Sequence, residues 1–358
     1  MIKNLLKHID ADALLHNAII IKKFIYPNKL CAVVKSDGYG HGIDKTVKSI
    51  DVAVDYFAVS DIKEAMQIRR LTSKPILVIG ALDYSTIKLA VENNIDLSVF
   101  CKKDVLRIAK NVKNGVKKCN IHIKVDSGMH RLGVSYCSDF FEIVNIIQNN
   151  NNINLRGVFT HLGSDKGKRT NKQLEKFNLF TKNLPEKVIR HFANSDNSLS
   201  TPLKINQMSR IGLSLYGYGK FPNLIPALSV YAKIINISFV KKGSFVGYGN
   251  KHKAKKDMLV AVLAIGYANG LMRCYHKKGF VIINNKKAKI VADICMSMTI
   301  VDITKIANVK VGEFAIILGE SKNLKITAQT IAKKCKTIPY EILTNFDAIS
   351  CTKKKPLT

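Results

Sequence analysis

Lys35 ends a short run of buried character, AVVK (32–35). It is followed by SDGYGHG (36–42), a turn with three glycines that also carries Tyr39 and His41. A strand that otherwise reads as core has no packing reason to end in an amine, whereas an amine partly shielded from water can condense with an aldehyde to a Schiff base. Comparable residues recur downstream. Lys124 and Arg131 lie in KVDSGMHRLG (124–133), His161 follows GVFT, HFANS (191–195) carries Asn194 and Ser195, and SRIGLSLYG (209–217) carries Arg210 and Gly212. Small residues and backbone N–H groups near Ser195, Gly212 and Leu213 suit a phosphate.

Each residue also has a plainer reading. Lys35 could be a solvated rim residue, the glycines a simple turn, His161 a hydrogen-bonded core histidine, the two arginines ion-pair partners and Ser195 a helix N-cap. Taken one at a time these readings hold. They become hard to sustain together once the elements that position the residues are considered.

Short strand-like runs at 30–34, 56–59, 75–79, 96–100, 120–125, 155–160, 188–192 and 207–211 alternate with stretches such as 61–71 and 102–110. In those stretches apolar residues recur at i, i+3 and i+4. Eight such units predict a (β/α)8 barrel. Lys35, Lys124, Arg131, His161, Asn194, Ser195, Arg210 and Gly212 then follow or end strands at the C-terminal rim, where barrels of this kind carry their sites. Lysine, phosphate cradle and a partner for a pyridine nitrogen together are what pyridoxal phosphate requires.

Between Tyr218 and Ser229 the rhythm changes to strands separated by Gly, Asn and Lys turns, with Asn284-Asn285 a hairpin signal. The expected organisation is α/β: a (β/α)8 TIM-like barrel over 1–222, followed by a mainly β C-terminal domain over 223–358. A helix is predicted over 324–336, with Thr327 as its N-cap.

Composition bounds the rest. The 358 residues are 47% hydrophobic, enough for a large core, and no run approaches the roughly 18–20 apolar residues of a membrane span. The start of the chain lacks a signal peptide's apolar block, so a cytoplasmic protein is expected. The eight cysteines include no CxxC pair and no cluster with zinc spacing, so no metal is expected. Cys31, Cys119 and Cys295 sit in strand-like runs and read as buried reduced thiols. A net charge of +31 comes from lysines scattered along the whole chain. Without an aromatic-interleaved basic stripe it marks weak anion attraction rather than nucleic-acid binding.

The sequence resembles the alanine racemases, pyridoxal-phosphate enzymes of the barrel-plus-β-domain type. The resemblance runs through AVVKSDGYGHG, KVDSGMHRLG, FTHL, HFANS and SRIGLSLYG. It continues in the second half through VGYGN (246–250), IGYANG (265–270), ICM (294–296) and PYEIL (339–343). It implies that Lys35 carries the cofactor and acts as the base on the D-enantiomer, while Tyr248 acts on the L-enantiomer from the neighbouring subunit of a homodimer. By the same resemblance Tyr39, Ser195, Gly212, Leu213 and Tyr340 cradle the phosphate, and Arg210 faces the pyridine nitrogen. His161 links Arg210 to Tyr248. Arg131 and the Met296 backbone N–H hold the substrate carboxylate, Tyr267 and Tyr340 line the inner entrance, and Lys124 matches a lysine that is often carbamylated.

The resemblance implies interconversion of L- and D-alanine, supplying D-alanine for peptidoglycan. A racemase of serine or of broader range, or an inactive cofactor-binding paralogue, are the alternatives. Three residues depart from the family pattern, Asn269 for Asp, Asp293 for Arg and Ser297 for Asp. They bear on the access corridor, where Asp293 is expected to pair with Lys166 of the other subunit.

Overall fold

The computed structural model describes residues 4–112, 117–164, 167–200, 206–346, 349–352 and 354–356. The first ten strands in chain order are β1 Leu5–Ile9, β2 Lys29–Val33, β3 Tyr56–Val59, β4 Ile76–Val78, β5 Ile95–Val99, β6 Cys119–Lys124, β7 Ile153–Phe159, β8 Ile189–His191, β9 Met208–Ile211 and β10 Leu228–Val240. Strands β2 to β9 form one parallel sheet in the order β8-β7-β6-β5-β4-β3-β2-β9. Between its two edges the Gln207 N–H donates to Arg190 O at 2.8 Å and the Arg210 N–H to Ala193 O at 2.9 Å, which nearly closes the ring. This is the eight-stranded barrel expected from the alternation.

Its helices are amphipathic for the usual reason. In Cys137–Gln148 the buried residues are Phe140, Ile143, Val144 and Ile147, a single stripe at i, i+3, i+4 and i+7. Asp61 caps Ile62–Arg69 by accepting from the Glu64 N–H. Among the described residues no helix is long and apolar enough to cross a membrane.

The chain divides into two compact units that do not follow a single break. The barrel unit holds Asp12–Gly38 and Ile43–Ile225. The second unit holds the residues up to Ala11, Tyr39–Gly42 and everything from Pro226. Contiguous domains over 1–222 and 223–358 therefore describe the chain incompletely. Strand β1 pairs antiparallel with β10, from Leu5↔Ala232 to Ile9↔Leu228, and that pairing partner lies more than two hundred residues away.

In the second unit follow β11 Phe245–Val246, β12 His252–Lys253, β13 Met258–Leu263, β14 Phe280–Ile283, β15 Lys286–Ile290, β16 Thr299–Asp302, β17 Phe314–Ser321, β18 Leu324–Ile326 and β19 Cys351–Thr352. Strands β17-β14-β15-β16-β13-β10 form a ring closed by the β17–β10 pairing. Asn284 and Asn285, both with positive φ, turn β14 into β15 as the left-handed hairpin positions demand. The predicted helix over 324–336 is shorter: Leu324–Ile326 pairs with β17, and the helix is Ala328–Cys335, with Thr327 accepting from the Thr330 N–H. Pro339–Asn345 adds a helix that the sequence reading did not assign.

The segment after β2 is a left-handed turn, with φ of 54° at Ser36, 49° at Asp37, 63° at Gly38, 54° at Tyr39 and 78° at Gly40. Each non-glycine residue in this region costs roughly 1–2 kcal/mol, so the turn has to be held from outside. In the barrel unit Glu64 Oε1 accepts from the Ser36 N–H at 2.6 Å, and Asp37 Oδ1 accepts from the Ile43 N–H at 2.7 Å. In the second unit the buried Lys7 Nζ donates to Gly40 O at 2.9 Å. A Cβ at Gly40 would lie 2.4 Å from Leu343 O, whereas one at Gly42, also with positive φ, would meet nothing within 4 Å. Gly40→Ala should therefore lower the calorimetric free energy of unfolding more than Gly42→Ala, by a further 1–3 kcal/mol or so. Equal losses would show that the backbone yields at Gly40.

Candidate active site

Four basic side chains gather at the C-terminal end of the barrel strands. Lys35 follows β2, Lys124 ends β6, Arg131 lies on the loop after β6, and Arg210 lies in β9. Asp126 builds that loop. Its Oδ1 accepts from the N–H groups of Gly128, Met129 and His130 at 2.9–3.0 Å, a nest that holds the carboxyl below the usual range. Backbone bonds from Val134 to Lys124 O and from Asp126 to Val134 O fold the loop back on the strand. Lys124 is buried, with its ammonium 5.9 Å from the centroids of both Phe100 and Phe159. Burial, then the charges of Arg131 and Arg210, bring its pKa down to about 8. The same surroundings push His161 down to about 3, burial first and then Arg210, Arg131, Lys124 and Lys35. His161 is therefore neutral at physiological pH. An electropositive mouth with so few acidic groups suits a ligand that brings phosphate and carboxylate.

Arg210 is buried inside the barrel. One Nη donates to Thr160 O at 2.6 Å and to Phe192 O at 3.5 Å; the other donates to His191 O at 2.8 Å and to His191 Nδ1 at 3.0 Å. The guanidinium also lies over the Phe159 ring at 5.2 Å. Its Nε–H has no acceptor among the described residues. The imidazole bonded to Arg210 is thus that of His191. No hydrogen bond joins Arg210 to His161 among the described residues.

From His191 the polar contacts continue inward. His191 Nε2 lies 2.8 Å from His122 Nδ1, and His122 Nε2 lies 3.4 Å from both Asp96 Oδ2 and the Tyr56 hydroxyl. The Tyr56 hydroxyl donates to Asp96 Oδ2, and Arg156 donates to both carboxylate oxygens at 3.1 and 3.2 Å. Both imidazoles and the carboxylate are fully buried. Gly157, opposite His122 on β7, makes the room: a Cβ there would stand 2.3 Å from His122 Nδ1. Sequence reasoning missed Asp96, His122 and His191. Their signal was single polar residues inside apolar runs, as in IDLSVF and IHIK.

The other barrel residues keep the expected placement with local roles of their own. The Gly212 N–H donates to Ser195 Oγ at 3.4 Å, at the start of the helical turn Leu213–Tyr216. Asn194 Oδ1 accepts from the N–H groups of Asp196 and Asn197 at 3.0 and 3.1 Å, which makes Asn194 a cap for the turn that follows.

In the second unit the Tyr39 ring meets that of Tyr340 at 5.9 Å, and burial raises the Tyr39 pKa. Tyr248 sits on a loop between Gly247 and Gly249, both with positive φ, and is 72% exposed. With Tyr267, Arg273, Asp293, Ile294, Cys295 and Met296 it lines a hollow of about 600 Å³. The turn Tyr267–Asn269 is clamped to that wall, since the Tyr267 N–H donates to Cys295 O and the Ala268 N–H to Met296 O. The Met296 N–H has no acceptor among the described residues.

Asn269 Oδ1 accepts from the Gly266 N–H at 3.1 Å, an oxygen role that Asn and Asp fill equally. Asp293 is held within its own unit by Lys251 at 3.2 Å, Arg273 at 3.0 Å and His276 at 3.2 Å. Its expected partner Lys166 lies outside the described residues. Ser297 is exposed. Cys31 and Cys119 are buried in strands, their thiols pushed up to about 12 by burial. Cys295, in contrast, is half-buried and lies in a loop.

Residues 9–220 match the family described as "Alanine racemase, N-terminal domain" and residues 227–351 the one described as "Alanine racemase, C-terminal domain". The chain is 33% identical over 352 residues to the alanine racemase of Borreliella burgdorferi, covering 94% of this chain and 93% of that one. Its fold is similar to that of the Clostridium difficile 630 alanine racemase, with a TM-score of 0.86 at 30% identity over 96% and 93% of the two chains. A histidine racemase from Leuconostoc mesenteroides subsp. sake gives 0.89 at 25% identity over 98% and 97%.

The environment of Lys124 has a consequence for stability. The folded amine loses its proton near pH 8, and the unfolded one near 10.5. Between these values the unfolded chain binds more protons, so this group's contribution to stability rises with pH across the window. In carbon-dioxide-free buffer Lys124→Met should melt higher than the parent below pH 8, and the advantage should shrink as pH rises from 8 and be gone by 10.5. A gap independent of pH would mean that the amine is not penalised by the fold.

Proposed function

Because the chain belongs to the alanine racemase family, we propose that it interconverts L- and D-alanine with pyridoxal 5′-phosphate, as a homodimer in the cytoplasm, and so supplies D-alanine for peptidoglycan. The observation that carries the cofactor is Arg210, a buried guanidinium with both Nη groups spent on the protein and an Nε–H left over. That donor fits an acceptor such as a pyridine nitrogen. Lys35 would hold the cofactor aldehyde, and Ser195, Gly212 and Leu213 would hold its phosphate together with Tyr39 and Tyr340. Asn194 shapes the turn on which Ser195 stands.

When bound, the cofactor draws electrons from the amino acid's α-carbon and so makes the α-proton removable. Arginine can only donate. Arg210 therefore leaves the ring nitrogen unprotonated, which limits electron withdrawal to what proton exchange needs and disfavours transamination. Lys35 takes or returns the α-proton on one face, serving D-alanine. Tyr248 does the same on the other face, serving L-alanine. Tyr248 and the free Met296 N–H are exposed within a single chain, which supports their reaching the site of a second copy. Arg131 and the Met296 N–H would bind the substrate carboxylate, with Tyr267 at the entrance. His161, neutral and close to the four cations, would accept a hydrogen bond near the site without adding charge. Lys124, with a pKa of about 8, is partly neutral near physiological pH and could add carbon dioxide; the resulting carbamate would pair with Arg131.

The likeness to a histidine racemase favours a second reading, in which the same bases serve larger side chains. Purified protein with pyridoxal phosphate and L-alanine in deuterated water should yield D-alanine carrying α-deuterium. Tyr248→Phe should slow removal of the L-alanine α-proton by about 10²–10⁴-fold, and Lys35→Ala should abolish the visible absorbance of lysine-bound cofactor. Normal racemisation by both variants would overturn the base assignments. D-histidine or D-serine formed in preference to D-alanine would select the broader enzyme.

A further inference from the structure

The polar chain inside the barrel has a direction that the chemistry of its members dictates. A guanidinium has no acceptor, so at 3.0 Å the Arg210 Nη–H must donate to His191 Nδ1. That nitrogen is then bare, and the proton of a neutral His191 must sit on Nε2, where it donates to His122 Nδ1 at 2.8 Å. His122 Nδ1 is bare in turn, and its proton sits on Nε2, facing Asp96 Oδ2 and the Tyr56 oxygen at 3.4 Å each. The Tyr56 hydroxyl gives its own hydrogen to Asp96, so both oxygens before His122 are acceptors. Neither imidazole can be an imidazolium. A second proton on His122 would face the Nε2–H of His191, and a second proton on His191 would face Arg210. The alternative direction fails at the arginine and at the carboxylate alike.

We infer that Asp96 is a positioning residue for Arg210. Through His122 and His191, it fixes the tautomers that present an acceptor to the guanidinium, keeps the Nη groups turned inward, and leaves the Nε–H for the cofactor ring nitrogen. The inference rests on the cofactor reading above and adds Asp96, His122 and His191 to it. The carboxylate is well suited to the task. It is buried, its charge is balanced by Arg156 and the Tyr56 hydroxyl, and these bonds orient it. His191 is held neutral by burial and by Arg210.

The first test needs no cofactor. Nitrogen NMR of the histidine-labelled protein, with signals assigned by their loss in His122→Gln and His191→Gln, should show both rings neutral with Nδ1 bare and Nε2 protonated. An imidazolium, or a proton on either Nδ1, overturns the inference. This measurement on the parent chain stands whether or not any variant folds.

The second test uses the loaded protein. Asp96→Leu keeps the volume and removes the acceptor, which leaves a buried N–H unpaired. It should weaken pyridoxal phosphate binding about tenfold or more, and raise the fraction of turnovers lost to transamination, because a misplaced Arg210 no longer guards the ring nitrogen. A merely structural aspartate would lower stability without moving that partition. If the parent binds pyridoxal phosphate and Asp96→Leu binds and partitions as the parent does, the positioning role is wrong and the cofactor reading survives. A parent that binds no pyridoxal phosphate overturns both.

Discussion

A cation is held inside the barrel with no carboxylate at its side among the described residues. Arg210 is buried, and its partners among the described residues are three carbonyl oxygens, one imidazole nitrogen and the face of Phe159. Removing a guanidinium from water is tolerable only when its hydrogens are satisfied, and even so burial brings its pKa down to about 10. Barrel interiors are usually filled with layers of branched aliphatic side chains. Here Asp96 and Ser98 on β5 and His122 and Lys124 on β6 alternate with apolar neighbours. The strand period thereby commits one face of each of these strands to polar contacts. That commitment is what the rest of the interior has to accommodate.

A second cost lies at the rim. The turn after β2 takes several residues into the left-handed region directly after Lys35. Glu64 meets part of that cost: one of its oxygens accepts from the turn, while the other accepts from Ser60. Strain of this kind is retained where the surroundings over-determine the backbone. It fixes where the amine of Lys35 begins its reach. The neighbouring cations weigh on Lys124 and His161 in the same sense, each made harder to protonate by a shared positive field.

Much of this was legible in the sequence, for identifiable reasons. Parallel strands buried on both faces are short, continuous and β-branched, so all eight barrel strands could be read from local pattern. Lys35, Lys124, His161 and Arg210 stood out because polar residues at strand ends interrupt that pattern. What escaped depended on distant partners. Strand β1 reads as an ordinary amphipathic start, and only its pairing with β10 assigns it to the second unit. Residues 324–326 look like the first turn of a helix until β17 offers them a ladder. Asp96, His122 and His191 were passed over because each is a single polar residue on its own strand; their meaning is a sum over three strands. Cys295 was taken for core because its neighbours are apolar, yet the clamp from Tyr267 holds it in a half-open loop.

The space reserved by Gly157 links two positions in mutational history. While an imidazole occupies position 122, no side chain can be gained at 157 without displacing it; once the ring is gone, the nearest neighbour of the added carbon is the Ile189 carbonyl oxygen at 3.0 Å, a tight contact rather than an overlap. The two sites are therefore coupled rather than independent, and a library that varies residue 157 alone would record intolerance whose main origin is its neighbour across the ladder.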